Sequence, residues 1–142
     1  MTGYLLVRVA HDLFGLPIEH VVEVIDNAET EPVPGARRSV RGVAHLRGGT
    51  VPVIHLGALL SNGTPPRERS STVVVTRCPE RPVAFEVTDA DEVVRDAARP
   101  VPPGGNMPWA SGIASHGDQL IPILDMATLG ERLLLESGDA TS

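Results

Sequence analysis

Three observations predict a mainly β protein assembled from two copies of one small unit. The first is an internal repeat: Gly42-Val43-Ala44 followed by Val51-Pro52-Val53-Ile54 returns as Gly112-Ile113-Ala114 followed by Ile121-Pro122-Ile123-Leu124, at a spacing of 70 residues and without a gap. The second is a succession of short β-branched runs broken by Gly, Pro and Asp turn signals every eight to twelve residues or so, the rhythm of barrels and sandwiches. The third is weak helical periodicity everywhere except near the C-terminus. Each half, at roughly 65 residues, is marginal as an independent fold, so the two units are expected to pack on each other through a Val/Leu/Ile seam.

Taken in order, Tyr4 to Val9 reads as a strand and Phe14 to Ile18 as its return after a His11-Asp12 turn. Ile18, Val21, Val22 and Ile25 fall at helical spacing, which predicts one or two helical turns before a strand over Glu23-Val24-Ile25. Residues 26–38 turn polar and carry Pro32, Pro34 and Gly35, the composition of a surface loop. Residues 40–56 form a β-hairpin with an Arg47-Gly48-Gly49-Thr50 turn, and Gly57 to Leu60 is long enough for a single helical turn. Residues 61–71 contain no large apolar side chain and read as a linker.

The second half follows the same plan. Strands over residues 72–76 and 82–87 flank a turn at Cys78-Pro79-Glu80-Arg81; Ile18, Val21, Glu23 and Val24 then recur as Val87, Ala90, Glu92 and Val93, 69 residues on. A loop over residues 100–108 precedes the second hairpin. Asp125 is a suitable N-cap for a closing helix whose apolar face is Met126, Leu129 and Leu133. The expected organisation is a single domain over residues 1–142, with approximate subdomains 4–62 and 72–135, a linker at 63–71 and terminal elements free to cross between subdomains. Residues 136–142 are expected to be a polar, fraying tail.

Composition excludes several classes of function. Only 3% of residues are aromatic and the net charge is −6, which leaves neither stacking platforms nor a positive face for nucleic acid. All 12 basic residues are arginine. Without lysine there is no phosphate-loop lysine, Schiff base or Ser–Lys dyad. The single cysteine, Cys78, precludes an internal disulfide and a multi-cysteine zinc site, and reads as a small buried hydrophobe. Arg8, His11 and Asp12 interrupt the only early apolar run, and no segment approaches the ~20 apolar residues of a membrane span. A soluble cytoplasmic protein with no direct membrane insertion is expected.

No constellation of residues assembles an enzyme. Ser115 and His116 are adjacent on a strand and point to opposite faces, and no Gly-x-Ser-x-Gly elbow is present, so Ser115, His116 and Asp118 read as turn-forming residues. His45 and His55 fall on opposite faces of the first hairpin and cannot share a metal. His11 and His20 read as surface histidines. The pairs Gly48-Gly49 and Gly104-Gly105 lack nucleotide-loop spacing. Glu23, in an otherwise apolar run, reads as the outward residue of a half-buried strand, and Arg47 as a charge at a hairpin tip that the second copy lacks. The chain reads as a binding module with no catalytic residues, metal or cofactor.

The run Phe14-Gly15-Leu16-Pro17-Ile18 with Val21-Val22-Glu23-Val24, the stretch Gly42-Val43-Ala44-His45-Leu46-Arg47-Gly48, the Val51-Pro52-Val53-Ile54 after it and the copy from Gly112 to Asp125 resemble the CheW family of bacterial chemotaxis coupling proteins, over about residues 4 to 135. The resemblance implies two five-stranded SH3-like β-barrels around a shared hydrophobic core, with short helices, one of them C-terminal. It implies a non-enzymatic adaptor, recruited to receptor arrays, that links the cytoplasmic tip of chemoreceptors to the regulatory domain of a CheA-type histidine kinase. By the same resemblance receptor binding falls on Glu23, Arg47, Val21 and Gly48, and kinase binding on Val87, Glu92 and Gly112. An arginine offers a rigid fork of donors for carboxylates or backbone carbonyls of a receptor helix.

The chain departs from the family pattern at His45 and His55, where Asn and Asp are common, at Val87-Thr88-Asp89-Ala90, and in a shortened loop over residues 100–108. These departures favour, as an alternative, a divergent adaptor that binds the receptor but not the kinase. A small hydrolase is a more distant alternative. A stand-alone SH3-like module for proline-rich peptides is another, although Tyr4, Phe14, Phe85 and Trp109 are the only aromatics available to furnish its groove.

Overall fold

The structure, a computed structural model, describes residues 3–35, 38–46, 48–61, 63–77, 81–95, 99–100 and 107–141. Strands dominate: β1 (Tyr4–Val9), β2 (Asp12–Pro17), β3 (Val21–Ile25), β4 (Val40–Leu46), β5 (Gly49–His55), β6 (Thr72–Arg77), β7 (Pro82–Val87), β8 (Asp89–Val94), the two-residue β9 (Arg99–Pro100), β10 (Ala110–His116) and β11 (Gln119–Leu124). Two α-helices follow the two repeated hairpins, α1 (Leu56–Ser61) and α2 (Met126–Thr141).

The strands form two sheets, in the order β8-β1-β2-β11-β10-β9 and β3-β6-β7-β5-β4. We refer to them as sheet A and sheet B. The repeat is visible in both: β3 corresponds to β8, the hairpin β4–β5 to β10–β11, and the hairpin β6–β7 to β1–β2. The halves have exchanged hairpins, however. β1–β2 from the first half joins sheet A, held to the second half by β1–β8 and by a parallel contact between β2 and β11. Reciprocally, β6–β7 joins sheet B through β3–β6 and a parallel ladder between β5 and β7. Strands are therefore not partitioned at residues 63–71: sheet B takes all its strands from residues 21–87, and sheet A takes its own from either side of that stretch.

Side-chain alternation along the strands then builds three cores. Tyr4 and Leu6 of β1 face a small cluster inside sheet A with Ala114, Ile121 and Ile123. Val73 and Val75 of β6 face the equivalent cluster inside sheet B with Ala44, Val51, Val53 and Ala84. The opposite faces of the same strands, Leu5, Val7, Val9, Val74, Val83, Phe85 and Val87, meet in a third cluster between the sheets, together with Leu56, Leu59, Met126, Leu129 and Leu133 of the helices. This is the expected aliphatic seam, and it buries Phe85, whereas Tyr4 is buried in the inner cluster of sheet A.

Both repeated hairpins carry a register shift at the same place, Val40/Gly42 and Ala110/Gly112. At Gly42 the reason is close approach: with φ at +154°, a Cβ there would sit 1.9 Å from the Glu31 carbonyl oxygen. Glu31 exchanges backbone hydrogen bonds of 2.8 Å with Val43, so the loop over residues 26–38 is stitched to β4 at this point. The second copy uses β9 in the same way, pairing Pro100 with Gly112.

Four local expectations change. The first turn falls at Ala10-His11 and not His11-Asp12, so β2 spans Asp12–Pro17 and not Phe14 to Ile18. The helical spacing after Ile18 yields only a 3-10 turn, Ile18–His20, and β3 begins at Val21, because a β-branched run with an open neighbour in β6 gains more from a ladder than from an isolated turn of helix. α1 starts one residue earlier than expected and runs to Ser61. The C-terminal helix does not end at Leu135: α2 continues to Thr141, and Glu136, in the stretch expected to be a polar tail, is only 4% exposed. Its Oε1 accepts hydrogen bonds from the Ser39 hydroxyl at 2.6 Å and the Ser39 N–H at 3.2 Å, which gives the later turns of the helix a tertiary anchor. Asp125 caps α2 as expected, accepting from the N–H groups of Ala127 and Thr128. Cys78 and its turn, and most of the loop over residues 100–108, lie outside the described residues.

Candidate functional site: a recess at the hairpin end of sheet B

β3 is bulged between Val21 and Glu23. The bulge lets one short strand serve both faces: Val21 packs toward the core between the sheets, whereas Ile25 packs on the inner cluster of sheet B. Glu23, half-buried, lines a recess of about 360 Å³ with Val22, Leu46, Gly48, Val75 and Arg77. The turn of the β4–β5 hairpin closes one side, with Gly48 at φ +79°. The recess has an aliphatic floor with one acid and one arginine in its lining, and Val22 is a large hydrophobic side chain exposed beside it. That combination suits an apolar side chain with polar neighbours, not a reacting small molecule.

Of the residues assigned to receptor binding, Glu23 and Gly48 therefore line one recess, and Val21 stands beside it with its side chain turned to the interior. Arg47 lies outside the described residues, bonded in sequence to Leu46 and Gly48, both of which line the recess. The residues assigned to kinase binding do not converge. Val87 is 1% exposed and belongs to the shared core, and Gly112 is buried at the β10 register shift; neither presents a surface. Glu92 is exposed on β8 and pairs with His116 at 3.2 Å. The second hairpin tip, expected to carry no charge, carries Asp118, exposed in the turn after Gly117.

Sequence reasoning missed a buried ion pair between β4 and β7 of sheet B. The Arg41 Nε donates to Glu86 Oε1 at 3.0 Å, with side-chain exposures of 7% and 4%. The rest of the guanidinium donates to the carbonyls of Pro66 and Glu68, tying residues 63–71 to sheet B. Glu86 reads in sequence like an outward residue of an alternating strand, and its partner is 45 residues away. The two histidines of the first hairpin are indeed apart. His45 is exposed, near Glu31 at 3.5 Å, and His55 is half-buried near Glu86 and Arg41. Among the described residues, no group of three or more His, Cys, Asp and Glu could hold a metal ion.

His55 has a structural task. Its Nδ1 accepts the Ala58 N–H at 3.0 Å, capping α1 as Asp125 caps α2 seventy residues on. Burial holds the imidazole below its ordinary pKa of 6.5; Glu86 opposes this and Arg41 adds to it. Because the unfolded chain then takes up the proton more readily than the folded one, His55 contributes stability that is complete above about pH 6.5 and is lost as pH falls toward the depressed folded value. The urea midpoint is expected to drop between about pH 7.5 and pH 5.5, and less so in His55→Asn, which keeps a capping group without titrating. Parallel pH profiles for the two proteins would refute this role.

Two packed β-sheets, an aliphatic recess at a hairpin end and a buried ion pair used for scaffolding define a binding module. The comparisons with known proteins agree. Residues 3–133 match the family model of the CheW-like domain, and the chain belongs to that family of chemotaxis adaptors, whose members are non-enzymatic scaffolds. It is 30% identical over 78 residues to the chemotaxis protein CheW of Thermotoga maritima, a stretch covering 55% of this chain and 51% of that protein; the match thus spans about half the length of this curated relative. Among solved structures, the scaffolding protein TtCheW from Thermoanaerobacter tengcongensis superposes with a TM-score of 0.78 at 24% identity, over 90% of this chain and 91% of that one, a likeness of fold. No helix among the described residues is long and apolar enough to cross a membrane.

Proposed function

We propose that this chain couples the cytoplasmic tip of a chemoreceptor to a CheA-type histidine kinase, working in the cytoplasm at receptor arrays in chemotaxis or motility signalling. The observation that carries the reading is the recess at the end of sheet B. Glu23 on β3 and Gly48 on the β4–β5 turn, distant in sequence, line one aliphatic surface, and Arg47 belongs to the same turn. A helical receptor tip offers such a surface an apolar side chain flanked by carboxylates or terminal carbonyls. Arg47→Glu is expected to weaken binding of a receptor cytoplasmic fragment by about tenfold or more, some 1.4 kcal/mol, with an unchanged thermal midpoint. Equal affinity in the mutant would remove Arg47 from the contact.

A second reading, an adaptor that engages the receptor alone, is favoured by the state of the kinase positions: Val87 and Gly112 are buried, and Glu92 is paired with His116. Co-purification with the regulatory domain of a CheA-type kinase from the same genome separates the two. A stable complex supports coupling, and no complex at tens of micromolar, an affinity range of about −6 kcal/mol, supports the receptor-only adaptor.

A further inference from the structure

The internal symmetry exposes a place where one half is covered by a helix and the other is not. Ser39 and Trp109 occupy matching positions, since the Ser39 carbonyl accepts the His55 N–H and the Trp109 carbonyl accepts the Asp125 N–H, each at 2.8 Å. Over Ser39 passes the later part of α2, held there by Glu136, and Ser39 is fully buried. α1, the counterpart of the start of α2, ends at Ser61. Among the described residues, no helix continues from it over Trp109.

The position left open is built as a groove. Trp109 and Phe14, the two aromatics that are not fully buried, meet edge to face with centroids 5.6 Å apart and planes at 72°. With Leu120 and Pro122 they line a groove of about 430 Å³ on sheet A. Leu120, 71% exposed, lines the same groove as the two half-buried rings, so these apolar side chains are grouped and not scattered singly. Asp12 and His11 stand at its edge, and Asp118 follows in the adjoining turn, so both fixed charges are negative.

We propose that this groove receives an amphipathic α-helix of a partner protein, with an apolar face seated on Trp109, Phe14 and Leu120 and lysine or arginine beside it facing Asp12 and Asp118. A helix is the occupant that the matching position of sheet B already accepts, and helices seat in such grooves through side chains at i, i+3 or i+4. The acid rim selects for basic flanks. α2 of a second copy is a poor match among the described residues: its exposed Leu134 and Leu135 lie near the acidic Glu131, and its Arg132 is engaged with the carbonyls of Leu59 and Leu60, so it offers no free basic flank. The groove lies on the other sheet from the recess lined by Glu23, so the inference goes beyond the proposed receptor and kinase contacts and does not depend on them.

Trp109 is the only tryptophan and reports on the groove directly. The probes are three synthetic peptides of about 16 residues without tryptophan: a leucine-faced helix flanked by lysine, the same helix flanked by glutamate, and the lysine peptide broken by a central proline. The lysine helix is expected to shift Trp109 emission to shorter wavelength with saturation, and the other two to bind about tenfold more weakly or less. Asp12→Lys/Asp118→Lys is expected to weaken the lysine helix by a similar factor, whereas Glu29→Lys/Glu131→Lys, with the same change in net charge on exposed sites, leaves it unchanged. No emission shift, equal affinity for the proline-broken peptide, or equal weakening by the two double variants would each overturn the proposal.

Discussion

Severed within residues 63–71, the chain is expected to give two fragments that are unfolded alone and fold when mixed. Residues 1–62 would contain β1 and β2 without their sheet A neighbours β8 and β11, and β3 to β5 without the β6–β7 hairpin that separates β3 from β5 in sheet B. Residues 72–142 face the reciprocal lack. Each fragment exposes aliphatic faces that close only against the other, among them Leu5, Val7 and Leu16 against Val74, Phe85 and Leu124. The effect is the whole folding free energy, of the order of 5–15 kcal/mol for a domain of this size. Far-UV circular dichroism and amide proton dispersion of each fragment, then of the equimolar mixture, are the measurements. A dispersed spectrum from residues 1–62 alone would show that the hairpin exchange is dispensable.

Arg41→Ala is expected to be the most damaging single substitution of a charged residue, costing about 3–5 kcal/mol, because it leaves the Glu86 carboxylate buried and unpaired. It also releases the carbonyls of Pro66 and Glu68, so residues 63–71 should become protease-sensitive. Arg41→Met/Glu86→Leu, which removes both charges, should recover much of the loss, since the burial penalty goes with the pair. Urea unfolding of the three proteins decides. A cost below about 1 kcal/mol for Arg41→Ala would mean that Glu86 is adequately solvated or satisfied by His55 alone.

The two units were legible because each repeats a short-range signal: a glycine at a register shift, a turn, an aliphatic run and a capping residue before a helix. The same signals located most strands, although β2 and β3 each begin two residues before the expected start. Exchange of the hairpins was not legible, since β1–β2 and β6–β7 have equivalent aliphatic patterns and either would pair acceptably with the other's neighbours as far as local sequence shows. The same blindness to distant partners hid Glu86, Glu136 and the burial of Val87. Glu136 looked like part of a tail because nothing near it in sequence announces Ser39, 97 residues away. At the recess, Glu23 and Gly48 were found by family resemblance, and the apolar setting of Leu46 and Val75 around them required the fold.

Hairpin exchange also sets an order of events during synthesis. β1 and β2 emerge first, yet their sheet partners β8 and β11 emerge among the last strands, so an early hairpin with a strongly apolar face must wait through most of the chain. Sheet B, contiguous over residues 21–87, has all its strands available well before sheet A. Long-range pairing of this kind slows folding and prolongs the exposure of aliphatic strands. The N-terminal hairpin can therefore complete its sheet only once β11 has been made, and α2 can reach Ser39 only after that.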